Sequence, residues 1–187
     1  MPATITIAID KLDAQLIREL KEKYQGTELE ITIRRQEEGV LLSEQEFWSL
    51  IDLLDWEQDT DDAITKPLVE ALSNLPVSKI YGFEEQLAEK LYALDKEEIA
   101  QQFPSYPSRF SVDGFLYDRL CVVANGKTTY EAVLEDPTRM PTEVSFEPLL
   151  YVASQAYELK TGNTFDYQPT VNYETYSNKE GWNRSNK

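Results

Sequence analysis

The sequence predicts an α+β protein, mainly α, in which an N-terminal strand–helix–strand unit precedes a six- or seven-helix bundle. Two alternating, β-branched stretches bracket a short amphipathic segment within the first 36 residues. From Ser43 to Thr161, apolar residues recur at helical spacing between capping residues, prolines and glycines. After Gly162 the aliphatic residues nearly vanish, and aromatics stand among Asn, Thr and Ser. The chain is thus expected to divide into a β-α-β unit (1–36), an acidic helical domain (43–162) and an aromatic, Asn-rich tail (163–187) packed on that domain.

In the first unit, Thr4-Ile5-Thr6-Ile7-Ala8-Ile9 alternates with period two and reads as a half-buried strand. Asp10 can cap a helix with the stripe Leu16, Ile17, Leu20 and Tyr24, and Gly26 stops it. Glu28 to Arg34 alternates again, and Gln36-Glu37-Glu38-Gly39 turns the chain into Val40-Leu41-Leu42, a short third strand. Two or three strands with one helix are marginal alone. The unit is therefore expected to dock on the rest of the chain or to form a homodimer through residues 1–36, using its open strand edges.

Helical signals begin at Ser43-Glu44-Gln45-Glu46, a capping box, with Leu42 and Phe47 as its hydrophobic staple. Phe47, Leu50, Ile51 and Leu54 follow at helical spacing. Pro67 suits the first turn of a second helix with the stripe Leu68, Ala71, Leu72 and Leu75, ended by Pro76. Ile80, Phe83, Leu87, Leu91 and Leu94 form a third stripe. Asp95-Lys96-Glu97-Glu98 caps a short fourth helix, closed by Pro104. Ser111 opens a helix bearing Phe115, Leu116, Leu120 and Val123, with Asn125-Gly126 as a left-handed cap. Thr128-Thr129-Tyr130-Glu131 reads as a second capping box, and Asp136-Pro137 and Met140-Pro141 mark a loop. The last helix carries Leu149, Leu150, Ala153, Ala156 and Tyr157, with Gly162 just past its end.

The formal charge of −16 is concentrated: residues 36–101 carry four basic and seventeen acidic side chains, while residues 1–35 carry six of each. Charge of this sign disfavours direct nucleic-acid binding and anionic membranes, both of which require clustered Lys and Arg. No apolar run approaches the ~20 residues of a membrane span. The N-terminus has no secretory pattern, and the single Cys121 cannot form an internal disulfide, so a cytoplasmic location is expected.

No histidine is present. Ser-His-Asp and Cys-His nucleophile systems and His-based zinc sites are therefore impossible in cis, which leaves carboxylate, Tyr, Lys or Cys chemistry. Acids are densest at Asp52, Asp55, Glu57, Asp59, Asp61 and Asp62, with no basic residue among them. Calcium loops alternate acids similarly but need a Gly at the turn and a distal bidentate Glu; this stretch has neither in place, and no metal or cofactor is expected. The same residues read either as a solvated inter-helix loop or as a surface for a cationic partner, with Trp56 beside them to stack on Lys or Arg. Cys121 lies in an apolar helix end and reads as a buried, inert thiol. Asp113, Tyr117 and Arg119 form a second cluster, read as a structural ion pair or as a ligand-facing site.

Particular stretches carry a resemblance: Phe47-Trp48-Ser49-Leu50-Ile51, Ser111 to Arg119, Val122-Val123-Ala124-Asn125-Gly126, Phe146 to Ala153 and Ser177-Asn178. Through them, residues ~43–182 resemble an uncharacterised bacterial family, domain-of-unknown-function family 4240. The resemblance implies no catalytic role. The first 36 residues are similar to small antitoxin-like modules in their strand–helix–strand pattern.

The function expected from these readings is that of a non-enzymatic cytoplasmic binding protein. It would engage a basic protein partner through residues 52–62, with Trp56 as anchor, in an immunity- or antitoxin-like role. One alternative is a carboxylate-based enzyme acting on a small polar or nucleotide-like substrate through Asp113, Tyr117 and Arg119. A second is a nucleic-acid mimic with carboxylates spaced like phosphates.

Overall fold

A computed structural model describes residues 14–24, 42–142 and 144–182. The chain forms two compact units, residues 1–36 and 37–187. Within the first, helix α1 (Ala14–Lys23) falls on the segment predicted to be helical, and Ile17 and Tyr24 of its expected stripe are exposed. The stretches read as strands, residues 4–9, 28–34 and 40–42, lie outside the described residues except for Leu42, as does the dimerisation edge they were expected to offer.

The expected α+β class is corrected to a helical one: every regular element among the described residues is a helix, and none is a strand. Leu42 shows the physical reason at its own position. It is fully buried, and its backbone nitrogen lies 2.6 Å from where a Cβ on Gly82 would sit, so the chain here packs on a helix and not beside a strand.

In the second unit the elements are α2 (Glu44–Ile51), α3 (Asp61–Asn74), α4 (Val77–Leu94), α5 (Glu97–Ala100), α6 (Val112–Ala124) and α7 (Gly126–Glu135), then α8 (Val152–Thr161) and α9 (Lys179–Trp182). Short 3-10 turns occupy Pro137–Arg139 and Glu147–Tyr151. Among the described residues of this unit, eight α-helices, two of them single turns, stand where six or seven were expected. The capping box forms as read: the Glu46 N–H donates to Ser43 Oγ at 3.3 Å, and the Ser43 N–H to Glu46 Oε2 at 2.8 Å. Pro67 does not open α3; Thr60 caps it seven residues earlier, accepting from the Ala63 N–H at 3.3 Å. The second box, at Thr128, is not made either, because α7 already begins at Gly126, whose φ of 86° turns the chain out of α6.

α3 packs along α8, α4 along both α6 and α8, and α6 along α7. Phe47, Phe83, Leu68, Leu72, Leu87, Leu91, Phe115, Leu120, Val133, Leu149 and Val152 fill the common core. The C-terminal strap, residues 163–182, crosses this body and is held by three ionisable side chains beneath it. Glu85 accepts from the Tyr167 hydroxyl and from the Thr170 N–H (3.0 Å) and hydroxyl (2.7 Å). Arg119 donates to the Tyr173 carbonyl at 3.1 Å and to Thr175 Oγ1 at 2.9 Å. Buried Asp95 accepts from the N–H groups of Tyr176 (3.2 Å) and Asn178 (2.9 Å) and from the Trp182 indole (2.8 Å). Tyr176 has a φ of 74°, costly for a bulky residue, and is fixed there by Asp95 below and by the Trp182 ring at 4.4 Å.

Candidate functional site

The acidic stretch is an ordered connection between α2 and α3. Asp52 sits at the α2 C-terminus, and its Oδ1 approaches Gly126, the first residue of α7, where a carboxylate meets the positive end of a helix. Asp55 turns the chain on itself: its carboxylate accepts the Glu57 N–H at 3.2 Å and the Gln58 amide at 2.8 Å. Glu57 and Asp59 are exposed, and Asp61 and Asp62 lie in the first turn of α3. None of the six carboxylates is in an ion pair among the described residues, where the acids that do pair are Glu44, Glu46, Glu70, Glu98, Glu131 and Asp136. No group of carboxylates or Cys among the described residues is arranged to hold a metal ion.

Trp56 lies in the middle of this connection. One face of its indole rests on buried Phe146, with ring centres 4.9 Å apart, and 49% of the residue remains exposed. Phe146 is in turn fixed by its N–H, which donates to the Tyr117 carbonyl at 3.1 Å. An aromatic side chain is therefore presented to solvent on a packed base, beside carboxylates that have no ion-pair partner among the described residues.

The second predicted cluster comes apart. Asp113 and Tyr117 are four residues apart on α6 and share a face, whereas Arg119 lies about 200° round the helix from Tyr117. Arg119 is fully buried. Its NH1 donates to the carbonyls of Leu91 (2.7 Å) and Tyr173, its NH2 to Thr175, and its guanidinium lies 4.8 Å from the centre of the Phe115 ring. Burial pulls it down to about 10, against the fields of Asp95 and Glu174, so it stays protonated at neutral pH. It is a structural cation, satisfied chiefly by backbone carbonyls and not by Asp113. Tyr117 faces outward toward Glu147; burial first, then the charges of Glu147 and Asp113, push its phenol up. Cys121 is buried, and burial followed by the field of Asp118 pushes its thiol up.

Sequence reasoning passed over Glu84. This residue is 7% exposed on α4, has no hydrogen bond or ion pair among the described residues, and is pushed up to about 7 by burial and by adjacent Glu85. Its signal was present in the chain: four residues after Ile80 and three before Leu87, it falls on the buried stripe. Asp95 was read as a helix cap and is instead the main acceptor for the strap. An open depression of ≈ 330 Å³ lies elsewhere, lined by Gln45, Glu46, Ser49, Leu50 and Leu75. Its carboxylate is already committed, since Lys79 and the Ser43 cap hold Glu46 at about 2.

No curated protein and no solved structure matches the chain. The family described as "Protein of unknown function (DUF4240)" matches residues 42–159, which run from the buried Leu42 through all of α2 to α7 and into α8. The chain therefore belongs to the DUF4240 family.

Proposed function

We propose that this protein is a non-enzymatic binding protein that engages a basic protein partner through the acidic surface around Trp56, in a cytoplasmic, immunity- or antitoxin-like role. The observation that carries the reading is the half-exposed indole, backed by Phe146, within a connection whose carboxylates lack ion-pair partners among the described residues. Indole faces attract guanidinium and ammonium groups, and a field of one sign accelerates encounter with the opposite one. The enzymatic alternative has less support, because Arg119 is buried and saturated on the far side of α6 from Asp113 and Tyr117.

Titrating the isotopically labelled full chain with an octa-arginine peptide at physiological ionic strength tests this reading. The Trp56 indole resonance and the amides of residues 52–62 should shift first. Replacing Asp55, Glu57, Asp59 and Asp61 together by Asn or Gln should weaken binding ~10-fold and flatten its salt dependence. Shifts spread evenly over all acidic surfaces, unaffected by the four replacements or by Trp56→Ala, would overturn it.

A further inference from the structure

We propose that Glu147, flanked by the phenols of Tyr151 and Tyr117, is a second anchor of the surface around Trp56 and takes an arginine side chain of the basic partner. The inference rests on the function proposed above and deepens it by naming the group that the partner presents.

Phe146 joins the two anchors. Its ring backs the Trp56 indole, and its N–H donates to the Tyr117 carbonyl on α6. Glu147 is the next residue, its Cα only ~3.8 Å further along the chain. It opens the 3-10 turn Glu147–Tyr151, which packs against α6. That turn carries Tyr151 back to the carboxylate, and the Tyr151 hydroxyl donates to Glu147 Oε1 at 2.7 Å. Tyr117 faces the same carboxylate from α6, with Asp113 one turn before it. Both phenols are pushed up, Tyr151 chiefly by its bond to Glu147 and Tyr117 chiefly by burial, so each keeps its proton at neutral pH. Trp56, Val144 and Tyr151 are each about half exposed: 49%, 47% and 48%. Apolar side chains exposed singly are ordinary, whereas three gathered about one buried ring form a patch.

Charge selects the occupant. Glu147 and Asp113, like the six acids of residues 52–62, are in no ion pair among the described residues. A carboxylate offers about four lone-pair sites, and the two phenols claim at most two of them. Glu147 thus keeps room for a two-pronged donor and is held in place for it by the Tyr151 hydroxyl. A guanidinium forks onto two carboxylate oxygens and stacks on aromatic faces; a compact, strongly hydrated ammonium does neither as well. Because the anchors adjoin through Phe146, neighbouring residues of one basic segment reach both.

Titrating the isotopically labelled full chain with octa-arginine and, separately, with octa-lysine tests the anchor. With octa-arginine, the amides of Glu147, Leu149 and Tyr151 should shift along the same isotherm as the Trp56 indole. With octa-lysine, the indole should shift and those three amides should move far less. Glu147→Gln should weaken octa-arginine binding ~5-fold and remove most of the preference for arginine. Glu158→Gln, which removes one exposed acid from α8, should weaken it less than ~2-fold. If Trp56 and residues 52–62 respond while 147–151 stay still, or if Glu147→Gln costs no more than Glu158→Gln, the anchor is overturned and the reading of the acidic surface stands. If Trp56 and residues 52–62 do not respond at all, that reading falls and the anchor falls with it.

Discussion

Arg119 shows what a single residue does here. Its side chain ties α4, through the Leu91 carbonyl 28 positions earlier, to the strap, through the Tyr173 carbonyl 54 positions later. Replacing it with Met keeps much of the volume and leaves three acceptors without donors. Each orphaned buried acceptor costs about 1–3 kcal/mol, so Arg119→Met should destabilise by roughly 3 kcal/mol or more. The urea midpoint should fall with little change in slope. Arg119→Lys should not restore it, because one ammonium cannot reproduce a planar fork that serves two carbonyls and a hydroxyl. The sequence marked this Arg as unusual, being a charge on an apolar stripe, but could not say what it meets. Its partners are mostly backbone carbonyls of distant residues, and carbonyls carry no sequence signature.

Among elements, what could be read in advance was whatever depends on a few adjacent residues. The Ser43 box, the Ser111 cap and the left-handed Gly162 after α8 involve chain neighbours and appear where expected. Helix starts chosen between competing local signals were read less well. Pro67 was a plausible first-turn residue, yet the Thr60 cap with Asp61 and Asp62 behind it outweighs that preference and extends α3 by nearly two turns. Gly82, in the middle of the longest helix, gave no signal of its own purpose. A Cβ there would lie 2.6 Å from the Leu42 backbone nitrogen, so the residue sets how closely the chain entering α2 approaches α4. Backbone cannot yield as a flexible side chain does. Gly82→Ala should therefore cost about 1–3 kcal/mol, despite the better helix propensity of Ala. A calorimetric melting temperature that rises on this substitution would contradict the close approach.

At the scale of the whole molecule, the uneven charge and the strap are the two organising features. The charge was fully visible in the sequence; that its peak falls on an ordered connection carrying a backed, half-exposed indole was not, because the backing residue, Phe146, is 90 positions from Trp56. The strap's aromatics could be read in the sequence, and the carboxylates beneath it that hold it, Glu85 and Asp95, could not. Asp95 looked like one more acid in an acidic third of the chain. Asp95→Asn would turn amide hydrogens toward donors that need an acceptor, releasing residues 176–182 at a cost of roughly 2–3 kcal/mol. Emission from the half-buried Trp182 should shift to the red, and an unshifted spectrum with unchanged stability would count against the buried-acceptor role.

The strap also carries the fold past the segment that its family defines. The family match stops at residue 159, yet Glu85, Asp95 and Arg119, all inside it, find their partners between residues 167 and 182. A fragment cut at the family boundary would lose the groups that satisfy Glu85 and the buried Asp95 and Arg119. For this chain, the bonds that complete the fold reach beyond the segment by which its kinship is recognised.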